Sequence, residues 1–136
     1  MSMADFNTKI IEEFRGNAGK LGGGFEGAPM LLLTTRGAKS GNVRTTPLAY
    51  LRQDDHVYIF GSFAGGPKNP AWYHNLKANP RVTVEIGEEK FEADAVEATG
   101  AERDRIFAAQ TEAMPGFKDY ESKTTRVIPV VELRRV

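Results

Sequence analysis

The sequence predicts an α+β fold, a small antiparallel β-barrel of about six strands with an N-terminal helix and two further helices. Two observations favour this fold. Segments with the alternation and the β-branched content of strands follow one another through short, hairpin-like connections. Helical segments separate only some of them, so the regular alternation of strand and helix that builds a doubly wound parallel sheet is missing.

The first predicted element is a helix over residues 3–15, where Phe6, Ile10 and Phe14 recur at helical spacing. Glycine-rich sequence follows, and we expect residues 1–28 to form this helix and a flexible segment. The helix can pack on the barrel, stay mobile or, as the less favoured alternative, lie on a membrane surface. The chain as a whole is long enough for one domain over residues 1–136.

Three strands are predicted next, over residues 29–36, 43–53 and 56–62, all rich in β-branched and aromatic side chains. A glycine-rich loop joins the first two, and a tight turn at Asp54 and Asp55 joins the second to the third.

A short helix is predicted over residues 68–80. Asn69 is its expected cap, Pro70 lies in its first turn, and Asn79 followed by Pro80 ends it. The helix would separate the first three strands from the rest of the barrel.

Two more strands, over residues 81–87 and 90–98, form a predicted hairpin. A helix over 99–114 follows, and its Thr99 and Glu102 have the spacing of a capping box. The last strand is predicted over 126–135, where Pro129 indicates an edge strand or a bulge, because proline cannot donate to a strand ladder.

The composition excludes several kinds of site. The chain has no cysteine, so it can form neither a disulfide nor a thiolate metal site. Its two histidines, His56 and His74, are far apart in sequence, and no metal site is expected. No apolar run has the length of a membrane span and the N-terminus lacks a signal-peptide core, so we expect a cytoplasmic protein, with peripheral membrane contact of the first helix as the alternative.

A formal net charge of zero conceals a basic centre. Residues 27–84 carry seven cationic and two acidic side chains, and the segments on either side are net acidic. Because nucleic-acid binders usually carry an excess of positive charge over the whole domain, we expect a local anionic partner and no nucleic acid. Chance clustering of solvated side chains is the alternative.

The loop between the first two strands, GAKSGNVRTTPL over residues 37–48, suits an anion. It contains Lys39 and Arg44, follows Arg36, and has no acid. Glycine lets backbone N–H groups approach an anion closely, and arginine can hold a phosphate or carboxylate by two parallel hydrogen bonds. The residue order matches neither a Walker loop nor the dinucleotide glycine fingerprint. By itself the pattern fits an anion site and an ordinary solvated hairpin equally well.

Two further motifs have both a structural and a functional interpretation. In NPAWYHNLKANP, Trp72 and Leu76 are expected to face the core by helical spacing, although this helix start can also wall a flat ring or receive an anion. In MPGFKDYES, Met114, Phe117 and Tyr120 fill the core or form an apolar lid whose tyrosine hydroxyl can donate a proton. No nucleophile has an evident histidine partner, so an enzyme of this sequence would take its chemistry from an organic cofactor.

Together, TTRGAKSGNVRTTPL and GSFAGGPKNPAWYHNLKANPRVTVEI resemble the deazaflavin-dependent nitroreductase family of actinobacteria, from about Met30 to the C-terminus. These proteins are split β-barrel oxidoreductases that use coenzyme F-420. The resemblance implies that an acid-free loop holds the coenzyme's phosphodiester and glutamate tail, and that the neighbouring strand runs along the deazaflavin ring.

The resemblance also implies the site residues. Tyr120 would be the catalytic proton donor. The cofactor-binding residues would be Ala38, Lys39, Ser40, Arg44, Thr45, Thr46, Pro47, Leu48, Ala49, Phe60, Gly61, Ser62, Phe63, Ala71, Trp72, Tyr73, His74, Asn75 and Phe117.

The chain departs from the family pattern at four positions. Phe63 stands where the family often has a lysine, so one phosphate cation is missing. Ala49, Met114 and Phe117 replace tyrosines of the members that activate nitroimidazoles, and Tyr120 is retained. This argues against nitroimidazole activation and implies a roomier, more apolar substrate pocket.

The expected function is therefore transfer of a hydride from reduced F-420 to an activated double bond of a small molecule: a quinone, a coumarin-like lactone, another enone or a nitro compound. Two alternatives stay open from the residues alone. A flavin mononucleotide (FMN) oxidoreductase could use the same phosphate site, and a carrier of an apolar ligand could use the lid. Monomer and dimer are both compatible with the sequence.

Overall fold

Ten helices and strands make up the described part of the chain. The computed structural model describes residues 3–22, 29–53, 55–61, 69–123 and 127–136, and within these it describes no side chains for residues 3–7, 116 and 121. The elements are α1 (Met3–Gly16), β1 (Met30–Arg36), β2 (Val43–Gln53), β3 (His56–Phe60), α2 (Ala71–Ala78), β4 (Arg81–Ile86), β5 (Glu89–Ala98), α3 (Gly100–Ala113), α4 (Gly116–Ser122) and β6 (Val130–Arg135).

The six strands form a closed barrel in the order β1-β2-β3-β6-β5-β4, with β4 pairing back onto β1. Every pairing is antiparallel. Alternating side chains point into and out of such a barrel, so each strand supplies two faces. The predicted fold class is confirmed.

The barrel interior is filled by aliphatic residues from the strands, closed at one end by Trp72 and Leu76 of α2. The core role that helical spacing predicted for these two side chains is thus confirmed. α2 lies at the end where β1 stops and β2 begins, because its Asn75 contacts Thr35.

Two helical layers cover the outside of the barrel. Ile10 and Phe14 of α1 pack on Leu32, and the guanidinium of Arg15 is hydrogen-bonded to Glu85 of β4. On another part of the outer face, α3 and α4 pack against Phe60 and its neighbours. The described apolar residues of α1 therefore pack on the barrel, which is one of the arrangements expected for this helix.

Several boundaries differ from the sequence-based expectation. Residues 116–122 form α4, a helix that the sequence does not predict because proline followed by glycine at 115 and 116 is typical of a break. The structure places them in a tight turn, in which the N–H of Phe117 donates to the carbonyl of Met114. The last strand begins at Val130 rather than residue 126, and residues 124–126 lie outside the described residues.

The expectation that Pro129 marks an edge strand was wrong. β6 has a partner on each side, β3 and β5, and Pro129 precedes it. The carbonyl of Pro129 accepts from the N–H of Gly61 at 2.9 Å. The proline that does lie on an open strand edge is Pro47.

The two expected helix caps also differ in detail. Pro70, not Asn69, is the N-cap residue of α2, and Thr99 caps α3 by position without a side-chain hydrogen bond. Asn79 follows the last residue of α2, as predicted. Of the remaining expectations, the glycine-rich residues 23–28, Asp54 of the tight turn and Ser62 of the third strand lie outside the described residues.

Candidate active site

The loop between β1 and β2 is a compact turn closed by its own hydrogen bonds. The N–H of Gly37 donates to the carbonyl of Asn42 at 2.7 Å, and the N–H of Gly41 donates to the carbonyl of Gly37 at 3.0 Å. Gly41 has a φ of +73°, a conformation that favours glycine. The hydroxyl of Ser40 accepts from the N–H of Asn42 at 3.1 Å. This turn exposes the side chains of its tip to solvent.

The cations of this loop are not paired with a carboxylate in the part of the chain that the structure describes. Arg36, Lys39 and Arg44 are exposed, and no described acidic side chain forms an ion pair with any of them. An exposed cation that no carboxylate neutralises keeps its full charge for a ligand. We name Lys39, Ser40 and Arg44, with the backbone of residues 37–42, the cation loop.

Strand β2 has one open edge beside this loop. Residues 43–49 pair with β1, whereas only residues 50–53 pair with β3. No described strand covers the second edge of residues 43–49. The N–H of Tyr50 donates to the carbonyl of Pro29 on the β1 side. Because N–H groups alternate between the two edges of a strand, those of Thr45 and Ala49 point to the open edge.

Pro47 occupies the intervening position on this edge, where it has no N–H to offer. Thr45 is further held by its hydroxyl, which lies 2.8 Å from that of Thr34. The open edge thus presents backbone donors at Thr45 and Ala49.

An aromatic cluster covers the outer face next to this edge. Phe60 and Phe117 are 4% and 8% exposed, and their ring centroids lie 5.7 Å apart. The ring centroid of Tyr120 lies 5.2 Å from that of Phe117. Ala49 and Met114 also pack on this cluster. α4 therefore rests on the barrel chiefly through Phe117. The tyrosine hydroxyl has no hydrogen-bond partner among the described residues.

Helix α2 contributes less surface to this region than expected. Trp72 is 6% exposed, and its ring belongs to the barrel interior. The side chain of Tyr73 points instead toward β5, where its hydroxyl donates to Glu97 at 2.8 Å. Ala71 and His74 are exposed. The amide of Asn75 contacts both Thr35 and Ala38.

Burial raises the pKa of Tyr73, and the hydrogen bond to Glu97 raises it further. Burial also acts on Glu97 by raising its pKa, but hydrogen bonds from Lys77 and Tyr73 outweigh this, and the net shift is downward. Tyr73 thus stays a neutral donor held by an ionised carboxylate, and this pair stabilises the packing of α2 on β5.

The other predicted site residues lie in different parts of the structure. Thr46 and Leu48 lie on the inner face of β2, since their partners Leu33 and Leu31 belong to the barrel interior. Gly61 is buried beside Pro129. Ser62 and Phe63 lie outside the described residues. The structure brings Ala49, Phe60, Phe117 and Tyr120 together in one cluster.

Sequence reasoning missed Thr35, which anchors Asn75. Its only signal in the sequence was a polar residue in a strand of mostly apolar residues. Cavities lined by described residues lie elsewhere, including one of about 450 Å³ at the barrel end opposite α2 and one of about 290 Å³ between α2 and α3. Among the described helices none has the length and apolar character to span a bilayer.

Residues 7–134 match the model of the family described as "F420H(2)-dependent quinone reductase". The chain belongs to this family. The F420H(2)-dependent quinone reductase Rv1261c of Mycobacterium tuberculosis is 41% identical over 126 residues, which are 90% of this chain and 85% of the relative.

Two solved structures are also similar. One, described as the F420-H2 dependent reductase FDR-A, is 39% identical with a TM-score of 0.71, and the match covers 78% of this chain and 94% of that one. The other, described as a domain-swapped dimer, is 35% identical with a TM-score of 0.74, and the match covers 98% of this chain and 100% of that one.

This quinone reductase family member is an F-420-dependent reductase, and its cofactor is coenzyme F-420. The alternatives of an FMN enzyme and of an apolar-ligand carrier are accordingly set aside. The residues present fit the coenzyme: a ligand with several negative charges needs cations that carboxylates have not neutralised, and Lys39 and Arg44 form no ion pair with any carboxylate that the structure describes. A ring system with donors and acceptors needs a polar edge, and β2 offers one.

Proposed function

We propose that the chain passes a hydride from reduced F-420 to an electron-poor carbon of a small molecule. A quinone is the first candidate acceptor, because the relatives carry that description. A coumarin-like lactone, another conjugated enone and a nitro compound are further candidates. The observation that carries the proposal is the open edge of β2 between the unpaired cations of the cation loop and the aromatic cover of α4.

Lys39, Ser40 and Arg44 would hold the phosphodiester and glutamate tail of the coenzyme. Charge-assisted hydrogen bonds of this kind contribute about 1.5–3 kcal/mol each when shielded, and less when they are exposed to water. Lys39 and Arg44 are exposed, so the lower end applies. Their action is on binding and not on the reacting atoms.

Thr45 and Ala49 would orient the ring through their backbone groups at the open edge. When bound, the reduced deazaflavin supplies the hydride. Ala49 would let a flat acceptor approach the strand closely, because its side chain is a single methyl group. Orientation of donor and acceptor in contact accounts for much of the rate enhancement in two-substrate reactions.

α4 would exclude water from the reacting atoms through Phe117 and its contact with Phe60. The hydroxyl of Tyr120, which has no described partner, would give a proton to the oxygen of the acceptor. The acceptor thereby gains a hydride and a proton, and a quinone becomes a hydroquinone. Water returns the proton to Tyr120 afterwards.

The assembly and the cellular setting are part of the proposal. The similarity to a structure described as a domain-swapped dimer supports a dimer, which sedimentation would test. The proposed partners are small molecules, with no nucleic acid and no membrane, and the proposed location is the cytoplasm. The buried apolar residues of α1 support the proposal of no membrane contact, because they are already packed on the barrel.

Equilibrium titration with oxidised F-420 and with FMN tests the function. We expect tighter binding of F-420, followed by oxidation of the reduced coenzyme when a quinone such as menadione is added. Lys39→Ala and Arg44→Ala should each weaken F-420 binding about tenfold, which corresponds to about 1.4 kcal/mol, with little change in melting temperature. Equal affinity for FMN, or unfolding of both variants, would contradict the proposal.

A further inference from the structure

Asn75 of α2 joins the cation loop to the barrel. Its Oδ1 accepts from the N–H of Ala38 at 3.1 Å, and its Nδ2 donates to Oγ1 of Thr35 at 3.3 Å. Because a backbone N–H can only donate, the amide orientation is fixed: Oδ1 must face Ala38 and Nδ2 must face Thr35. One side chain therefore links a helix, the end of a strand and a loop.

The anchor of this link is buried. Thr35 is 2% exposed, so water cannot replace Asn75 as the hydrogen-bond partner of its hydroxyl. The β1–β2 ladder ends at the pair of Arg36 and Val43, and beyond it the turn is closed by bonds among its own residues. Those internal bonds fix the shape of the turn but do not connect it to another element. The hydrogen bond from the N–H of Ala38 to Oδ1 of Asn75 ties the turn to α2.

A second asparagine on the same helix offers a comparison. Nδ2 of Asn79 lies 3.5 Å from the carbonyl of Arg36, at the limit of hydrogen-bonding distance. Arg36 belongs to the ladder, so its position is already set by β2. Asn75 makes two bonds, one of them to the free part of the turn, and Asn79 makes one weak contact to the fixed part.

We infer that Asn75 is a positioning residue for the cation loop, through which α2 sets the place of Lys39 for the anionic tail of the coenzyme. The inference rests on the proposed function of that loop. Asn75 touches neither the tail nor the reacting atoms in this role. The N–H of Ala38 is then occupied by Asn75 rather than offered to a phosphate, and the loop recognises its ligand through side chains and the remaining N–H groups.

The test compares two ligands: whole F-420, and its tail-free deazaflavin with the ribityl chain but without phosphodiester and glutamates. Asn75→Ala should weaken binding of whole F-420 about tenfold and leave the affinity for the tail-free ligand within about twofold, because only the tail depends on the loop. In the apo protein, the amide hydrogen of Ala38 should exchange with solvent at least about tenfold faster. Neither readout depends on turnover.

Two variants control the result. Asn79→Ala removes the same amide one turn later and should change neither affinity by more than about twofold. Thr35→Val removes the hydroxyl that anchors Asn75 and should reproduce the selective loss of tail binding. Thr35→Ser keeps this hydroxyl and should keep the affinity for whole F-420. Equal losses for both ligands, or for Asn75→Ala and Asn79→Ala alike, would show a general displacement of α2 and overturn the inference.

Failure of this inference differs from failure of the proposed function. If Lys39→Ala lowers the affinity for whole F-420 and Asn75→Ala does not, the loop binds the tail but Asn75 does not position it. If neither variant nor Arg44→Ala changes that affinity, the loop is not the tail site, and both are wrong.

Discussion

The guanidinium of Arg15 and the carboxylate of Glu85 form two parallel hydrogen bonds, from Nε to Oε1 at 3.1 Å and from Nη2 to Oε2 at 2.8 Å. They join the last turn of α1 to β4, across 70 residues of sequence. Phe14, next to Arg15, is 1% exposed, so the ion pair borders a buried contact. The fork geometry fixes the direction in which α1 leaves the barrel.

The Arg15–Glu85 pair should make the docking of α1 sensitive to acid. Hydrogen bonds from Arg15 hold the pKa of Glu85 below its ordinary value of 4.5, against the smaller, opposing effect of burial. Its contribution to stability is therefore complete above that ordinary value and is lost as the pH falls through the lowered value. Because the Arg15 side chain is 51% exposed, we expect less than about 1 kcal/mol.

Urea unfolding at several pH values measures this contribution. Glu85→Gln should lower the free energy of unfolding at pH 7. This deficit should shrink as the pH falls through the lowered pKa of Glu85, because the protonated carboxyl group and the amide are both uncharged. The pair of Arg81 and Asp94, with both partners about half exposed, provides a control, and Asp94→Asn should have a smaller effect at pH 7. A Glu85→Gln deficit that stays unchanged down to the most acidic pH at which the parent protein is still folded would refute the ionic explanation.

Gly19 should not tolerate a side chain. It has a φ of +87°, and an added Cβ would lie 2.6 Å from Cα of Gly87. Both the backbone conformation and the close approach to the β4–β5 turn require glycine. Gly19→Ala should cost about 1–3 kcal/mol of unfolding free energy, measured by urea titration.

Gly16 is the matched control for Gly19, since a Cβ there meets no atom within 4 Å and its φ is not positive. Gly16→Ala should be neutral or slightly stabilising, because alanine favours the helix that ends there. Equal stability of Gly19→Ala and the parent protein would mean that the approach of Gly19 to Gly87 is not tight in solution.

Phe117 and Tyr120 should have separable effects on α4. Phe117 is the buried contact of a helix of seven residues, so Phe117→Ala should release α4 from Phe60 before the barrel unfolds. Replacing a buried phenylalanine by alanine costs about 3–5 kcal/mol at a core site, and a helix of seven residues has few other contacts to offset that loss. Limited trypsin digestion should then cleave at Lys118 or Lys123.

Tyr120→Phe keeps the aromatic ring and removes only the hydroxyl. It should leave the tryptic pattern unchanged and slow reduction of a quinone by about tenfold or more, with a reduced solvent isotope effect on kcat. Unchanged turnover would mean that solvent supplies the proton directly. Protease sensitivity equal to that of Phe117→Ala would instead make Tyr120 a structural residue.

Most strands and helices could be predicted because their patterns are local. β2 was predicted at its observed limits, 43–53, and α2 ends before Asn79 as expected. The missed helix, α4, begins after Pro115, and proline occurs both at the start of helices and just past their ends. The local signal was ambiguous there, and contact of Phe117 with Phe60 decided it.

The candidate site was predictable in composition more than in arrangement. An acid-free stretch with Lys39 and Arg44 is visible in the sequence, and the structure leaves both side chains exposed. Trp72 was considered both as core and as a site wall, and its burial shows that its ring serves the core. Helical spacing favours both interpretations equally, since each requires a side chain that faces the barrel.

The sequence by itself determined the antiparallel barrel and the cationic character of its first loop, because alternation, turn residues and charge are properties of neighbouring residues. Only the tertiary structure decided that no described strand pairs with the second edge of β2 from Val43 to Ala49, and that Asn75 meets Ala38, 37 residues away. Such contacts depend on where strands and helices meet after closure of the barrel, and no local pattern encodes the meeting of residues so far apart.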